Sequence, residues 1–276
     1  MKITFSTCYY ILKAKYEVNI FLHWCENFLS IMTKCNIVFY TNKETLQILN
    51  LNSLIKRYLQ NENIRVVIYN LEDFHTYNYK SKWKSNHSNN YLLNSISSWK
   101  LNMLWNEKIH MVKKTMDEKY FDTDFYGWCD VGYFRNRDDD INTREMSLSS
   151  WPNPIFFEKM DTSKIHYAMI NNDNSFLIML YSLINNKNEN GLPSSPIPPY
   201  QVSISGGFFI CHKDKLNWWH ETYYSKLKLY FDNNYLIKDD QMIIIDCIFT
   251  ELNNFNLAME KNKKYDNWFM FQRILF

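Results

Sequence analysis

Hydrophobic and polar positions along the chain switch between a period of two and a period of three to four. Residues 2–8 alternate and are rich in β-formers, which predicts a first strand. From residue 16 to 32 the apolar positions Val18, Phe21, Leu22, Cys25, Phe28, Leu29 and Met32 recur every third or fourth residue, the stripe of an amphipathic helix. Residues 36–40 form a short apolar strand pattern. Thr41-Asn42-Lys43-Glu44 has the form of a capping box and opens a helix running to about Leu59; residues 64–69 read as a third strand. This β-α-β-α-β order predicts an α/β chain with a Rossmann-type, mostly parallel, doubly wound sheet flanked by helices.

Residues 72–90 have no period and read as a long loop, a place where function often resides. A helix is predicted over 97–119, with Trp99, Met103, Trp105, Ile109 and Val112 facing inward, and a fourth strand over 125–130. Residues 136–150 are charged and polar. Short strands are expected at 155–157 and 165–170, and a helix at 176–184. The Asn/Pro/Ser-biased stretch 185–199 reads as a linker or lid. A strand over 202–210 carries Ser205-Gly206-Gly207, a Trp/Tyr-rich helix covers 213–231, and a helix over 239–252 has acids in its first turn, where the helix dipole favours them. The aromatic tail 265–276 is expected to pack back on the domain, and no internal repeat is visible.

At 276 residues the chain suits a single domain (1–276) with loop insertions, and 46% hydrophobic residues supply its core. A net charge of +2 gives no electrostatic argument for nucleic acid. The cysteines at 8, 25, 35, 129, 211 and 247 show neither CxxC nor zinc-site spacing. Cys25, Cys35, Cys129 and Cys247 sit among apolar residues, which points to core positions and a reducing compartment, hence a cytoplasmic protein. No secretory leader pattern or membrane-length apolar run is present, so a soluble protein without a transmembrane segment is expected. The excess of Asn, Lys, Ile and Tyr fits an AT-rich coding bias, and Asn-rich loops are discounted accordingly.

The chemistry-bearing stretch is 126–135, Tyr-Gly-Trp-Cys-Asp-Val-Gly-Tyr-Phe-Arg. It sets Asp130 at the end of an apolar strand, then Gly132 and the cation Arg135. Ligands of open α/β sheets bind at the carboxyl ends of strands, so Asp130 is a candidate to meet a metal and a phosphorylated donor. The competing reading is a plain Asp-x-Gly turn. Gly206-Gly207, two of only five glycines, mark either a bulge or a close approach of backbone to an acceptor. Asp239-Asp240-Gln241 is either an ordinary acidic helix start or a carboxylate aimed at an acceptor hydroxyl. His75 and His87 lie in the predicted loop, His110 is mid-helix, and His212 and His220 flank a helix start that could face the same crevice. There is no zincin pair, nucleophile elbow, GxGxxG or P-loop. Basic and aromatic residues mix over 77–84, which reads as a solvated loop rather than a nucleic-acid platform.

Phe121-Asp-Thr-Asp-Phe-Tyr-Gly-Trp-Cys-Asp-Val-Gly132 resembles the "f-x-s/t-d-x-f-x-W-i-D-x-G" signature of HtrL/YibB-like proteins. Trp99-Lys100 resembles that family's Lys-bearing helix, Ser205–Phe209 its Gly-Gly-phe-phe segment, Asp240-Gln241 its Asp/Glu-Gln pair, and Phe39-Tyr40-Thr41 its strand ending in a "f-t" turn. The family is similar to GT-A type glycosyltransferases. The resemblance therefore implies a GT-A-like fold and a nucleotide-sugar donor, UDP-linked by expectation, with a glycan or other hydroxyl-bearing acceptor. It implies a donor half at 1–135 and an acceptor half at 136–276. Asp130 would be the metal- and diphosphate-linked acid, with Mn²⁺ or Mg²⁺ as cofactor. Thr7, Thr41, Lys100, Trp128, Gly132 and Arg135 would serve the donor. Gly206, Gly207, Asp239 and Gln241 would serve the acceptor, with Asp240 catalytic beside Asp130. Two departures stand out: residue 132 is Gly where Asp-x-Asp has its second carboxylate, and no histidine follows His220. They favour a second reading, a catalytically silent nucleotide-sugar or glycan-binding module. A carboxylate-metal phosphodiesterase ranks third, because there is one strand-end Asp and no cluster.

Overall fold

The computed structural model describes residues 2–135, 148, 151–260 and 265–276. In chain order the elements are β1 (Ile3–Cys8), α1 (Val18–Ile31), β2 (Asn36–Thr41), α2 (Lys43–Leu49), α3 (Ser53–Leu59), β3 (Ile64–Ile68), α4 (Lys80–Asn89), α5 (Trp99–Trp105), α6 (Lys108–Asp117), β4 (Phe125–Cys129), α7 (Ile155–Glu158), β5 (Ile165–Met169), α8 (Asn174–Asn185), β6 (Phe208–His212), α9 (Lys213–Asp232), α10 (Asp240–Thr250), β7 (Phe255–Met259) and α11 (Met270–Ile274), with short 3₁₀ turns between some of them.

The seven strands form one sheet in the order β3-β2-β1-β4-β6-β5-β7. Every neighbouring pair is parallel except those of β6, which runs antiparallel to both β4 and β5. The mostly parallel α/β sheet flanked by helices is thus the one expected. Strand alternation sorts side chains onto two faces, each with its own core. Phe5, Ile37, Phe39, Phe125, Cys129, Phe208 and Ile210 pack on the face that α1 and α11 cover. Val38, Tyr40, Tyr126, Trp128, Tyr167, Phe209 and Cys211 pack on the other, with α6, α9 and α10. Gly127 interrupts β4 because a Cβ there would overlap the Phe209 carbonyl oxygen on β6. All six cysteines are free, and five are buried. Among the described residues no helix is long and apolar enough to cross a membrane.

Several boundaries differ from the periodic reading. The helix expected to run to Leu59 is two helices, capped separately by Asn42, which accepts from the Thr45 N–H at 2.8 Å, and by Asn52, which accepts from Leu54 and Ile55. Residues 72–90 are not a loop throughout: α4 forms without an apolar stripe, anchored by the fully buried Trp83 and by Asn86, which bonds both the N–H and the carbonyl of Ile237. The predicted helix 97–119 is broken at Asn106, whose amide donates to the Asn102 carbonyl and accepts from Tyr223 OH. Residues 155–157 are helical, too short a run for period to decide. Of 202–210, only the end belongs to β6, and Gly206-Gly207 precede it. Residues 185–199 are packed rather than a linker: Leu192 and Ile197 are buried, and Lys187 reaches the buried Asp246 at 2.9 Å. The C-terminal tail does pack back, burying Met270, Phe271 and Leu275. The polar segment 136–150, Leu148 apart, lies outside the described residues.

Glu107 links these elements. It is fully buried and accepts hydrogen bonds from the His75 N–H (2.6 Å), Tyr69 OH (3.1 Å) and Thr76 Oγ1 (3.5 Å). Burial raises its carboxyl to about 8, even though these donors oppose the shift. A folded-state value above the unfolded one means the native state holds the extra proton between about pH 4.5 and 8, so stability drains away as pH rises through that window. Glu107→Gln keeps the accepting oxygen without the charge. It is expected to match the parent near pH 5 and to exceed it by about 2 kcal/mol or more above pH 8 in urea unfolding; equal curves at both pH values would contradict a buried charge.

Candidate active-site crevice

Asp130 follows the last residue of β4, and its even position puts it on the same face as Tyr126 and Trp128, where α6 packs. Trp128 Nε1 donates to Asp130 Oδ1 at 2.6 Å. Because β6 is antiparallel to β4, the start of β6 lies beside the end of β4, and the Asp130 N–H donates to the Gly207 carbonyl at 2.9 Å. Motifs far apart in sequence therefore become neighbours.

Lys108, the first residue of α6, reaches into the same place with a nearly buried side chain. Its Nζ lies 3.2 Å from Asp130 Oδ1 and 3.1 Å from Asp240 Oδ2, and donates to the Gly206 carbonyl at 2.9 Å. Asp240 opens α10, is 4% exposed, and is held in place by a helix whose eight residues after Gln241 are all buried. Its Oδ2 has the ion pair but no hydrogen bond, and Asp239 Oδ1 and Ser205 Oγ beside it also lack partners. Burial raises the Asp240 carboxyl to about 7; Lys108 opposes this, while the Asp239 and Asp130 charges add to it. Burial alone would lower the Lys108 ammonium, but Asp130 and Asp240 outweigh it and hold the amine above its ordinary value. One cation serves two carboxylates, so the buried one titrates late.

The glycines follow from this crowding. A Cβ on Gly206 would sit 2.9 Å from Asp240 Oδ2 and 3.0 Å from Gln241 Cγ; one on Gly207 would sit 3.2 Å from Asp130 Oδ2. Both carboxylates press against bare backbone, which is a packing reason for the Gly-Gly pair.

Around this cluster two cavities adjoin. A polar crevice of about 190 Å³ is lined by Lys108, Asp130, Gly206, Gly207, Asp240 and Gln241, among others. An aromatic cavity of about 310 Å³ is lined by Tyr9, Tyr16, Phe21, Trp24 and Trp128. Trp105, Lys108, Asp130, Gly132 and Arg135 belong to the walls of both.

No family model matches the chain, and no curated protein matches it. Among solved structures it is similar to mouse xyloside xylosyltransferase 1 in its apo form, at a TM-score of 0.45 and 7% identity, over 94% of this chain and 85% of that one. The likeness is slight, and the reading of the crevice rests on its own residues. Membership of the HtrL/YibB-like family is likewise not shown.

The structure brings together Asp130, Gly132, Arg135, Gly206, Gly207, Asp239, Asp240 and Gln241 in the polar crevice, and Trp128 in the aromatic one. Arg135 is exposed, with its guanidinium 4.8 Å from the Phe269 ring centre. Asp239 pairs with Lys238 at 3.0 Å, and burial pushes its carboxyl up. Thr7 and Thr41 are fully buried and line neither cavity; Thr41 Oγ1 donates to the Tyr9 carbonyl at 2.8 Å and so fixes the chain entering the aromatic cavity. Lys100 is exposed and off both walls; the lysine that lies between the two carboxylates is Lys108, which the sequence reading missed. Its signal was only a lysine within an otherwise apolar-facing pattern. His212 accepts from the Asp214 N–H at its helix start, and His220 lies against His110; neither reaches the crevice.

For a divalent ion, Asp130 is the more accessible donor: its side chain is 39% exposed, whereas that of Asp240 is 6% exposed and paired with Lys108. A hard cation there would have one protein carboxylate and would complete its shell with water and phosphate oxygens, as Mg²⁺ does in phosphate-bearing sites.

Gly206→Ala is expected to displace the Asp240 carboxylate from Lys108 and to cost about 1–3 kcal/mol in urea unfolding. A variant as stable as the parent would mean that Asp240 moves freely.

Proposed function

We propose that the protein is a glycosyltransferase that moves a sugar from a nucleotide-diphospho sugar, UDP-linked by preference, to a hydroxyl acceptor. The observation that carries this reading is the pair of cavities sharing one charged wall. The aromatic cavity is built wholly from residues 8–135 and suits the flat base of a nucleoside, while the polar crevice adds residues from 205–241 with Trp268 and Phe269 and suits a sugar and its acceptor. At the junction stand Lys108 and Arg135, cations for a diphosphate, and Asp130.

In the proposed reaction the acceptor hydroxyl attacks the anomeric carbon and the nucleoside diphosphate leaves. Lys108 and Arg135 neutralise charge developing on the diphosphate, where a preorganised cation acts most strongly. Asp240, titrating at about 7, takes the acceptor proton, a role that suits inversion. Gly206 and Gly207 leave room for the sugar against the backbone. Mn²⁺ or Mg²⁺, held at Asp130, would act when bound as a Lewis acid toward the diphosphate.

A screen of nucleotide-sugar turnover, with and without Mn²⁺, tests the reading. Asp130→Asn is expected to lose about 100-fold or more in turnover while its melting temperature stays close to the parent's. Unchanged turnover in that variant sinks the assignment, and calorimetric binding of a nucleotide sugar with no transfer or hydrolysis supports the silent binding module instead. The pH profile gives a second check. A base that must be ionised makes kcat/KM rise about tenfold per pH unit below its free-enzyme value and level off above it, so the bend is expected near pH 7 and absent in Asp240→Asn.

A further inference from the structure

Three histidines that the crevice does not use meet on the far side of α6. His110 follows Lys108 by two positions along that helix, a turn of about 200°, so the two side chains leave it in nearly opposite directions. His75 comes from the segment between β3 and α4, His110 from α6 and His220 from the middle of α9. His110 Nδ1 and His220 Nε2 are 3.0 Å apart, and one ring nitrogen from each of the three lies within 4.8 Å of the others. The ring centres are 4.5 Å (75–110), 5.1 Å (75–220) and 5.2 Å (110–220) apart. Two of the main chains are tied by side chains: the His75 N–H donates to the buried Glu107, the His110 N–H donates to Tyr224 OH, and Tyr224 OH donates in turn to the Asn106 carbonyl. The nearby Lys113 and Lys114 are paired with Asp117 and Glu118 along α6.

From this geometry we propose that His75, His110 and His220 form a binding site for a divalent transition ion of the zinc class, separate from the crevice. Imidazoles without a carboxylate suit Zn²⁺ and its neighbours rather than Mg²⁺, Ca²⁺ or Mn²⁺. Zinc bound at about 2.0–2.1 Å to each nitrogen in a tetrahedron spaces its ligands about 3.4 Å apart. The His110–His220 pair is already near that spacing, and the widest pair must close by at most about 1.4 Å. His75 is exposed and can make that movement, and its open side leaves the fourth position to water. The ion would add a staple to three elements already joined by these hydrogen bonds, one of them the helix that starts with Lys108.

The test uses the full chain freed of metal by chelation, titrated with Zn²⁺ by calorimetry and with Co²⁺ by visible absorption. Binding of one ion per chain is expected, with a tetrahedral Co²⁺ spectrum. At zinc near 100 times Kd the melting temperature should rise by about 5–10 °C. His110→Gln and His75→Gln should each weaken zinc at least about tenfold; His75 is exposed, so that variant keeps its fold even where the other does not. Asp130→Asn should bind zinc as the parent does. No zinc uptake by the parent, or equal affinity in the parent and His75→Gln, overturns the proposal and leaves a packed aromatic cluster. Zinc binding lost in Asp130→Asn overturns it too, by placing the ion in the crevice.

Discussion

Lys108 Nζ touches oxygen atoms from three separate segments, the end of β4, the loop before β6 and the start of α10, and the crevice depends on that convergence. Parting the start of α10 from Lys108 would leave the buried Asp240 without its cation, which is far costlier than loss of an ordinary surface ion pair. The same contact explains the glycines at 206 and 207, since side chains there would collide with the carboxylates that the lysine gathers. It also explains why Asp240 keeps its proton to higher pH than an ordinary carboxyl: one ammonium cannot fully compensate two acids when burial removes water from the inner one.

That convergence requires the sheet to turn back on itself once. Six strands run in one direction, and β6 alone runs against them. An all-parallel arrangement would send residues 205–207 to the opposite end of the sheet from Asp130. The reversal places the loop before β6 at the carboxyl end of β4, where open α/β sheets take their ligands. Alternation then decides which side of the sheet is used. Tyr126, Trp128 and Asp130 share the face covered by α6, so the lysine, the tryptophan N–H and the carboxylate meet there.

Helix α6 carries two chemistries on two faces. Its first residue enters the crevice, while His110 joins a histidine cluster that the α9 and 71–79 segments complete. Glu107, just before it, bonds back to His75 and Tyr69 and fixes the start of the helix. The position of Lys108 is therefore set by buried polar bonds behind it as well as by the acids in front.

Period and local chemistry along the chain determined the strands β1 to β4, the long helices α1 and α9, and the prominence of Asp130, Gly206-Gly207 and Asp240, because each is a local pattern of burial or turn chemistry. Helix α4 was illegible, since a single buried tryptophan and an asparagine bonded to Ile237 hold it rather than a stripe. The break at Asn106 was hidden for a similar reason, its partner Tyr223 lying on a distant helix. Lys100 and Lys108 look equivalent as letters, and only the turn between α5 and α6 separates an exposed lysine from one buried between two carboxylates. The three histidines belong to segments that the sequence cannot bring together. Tertiary structure decided these points because ion pairs and ring contacts depend on distances across the fold, which spacing along one chain does not encode.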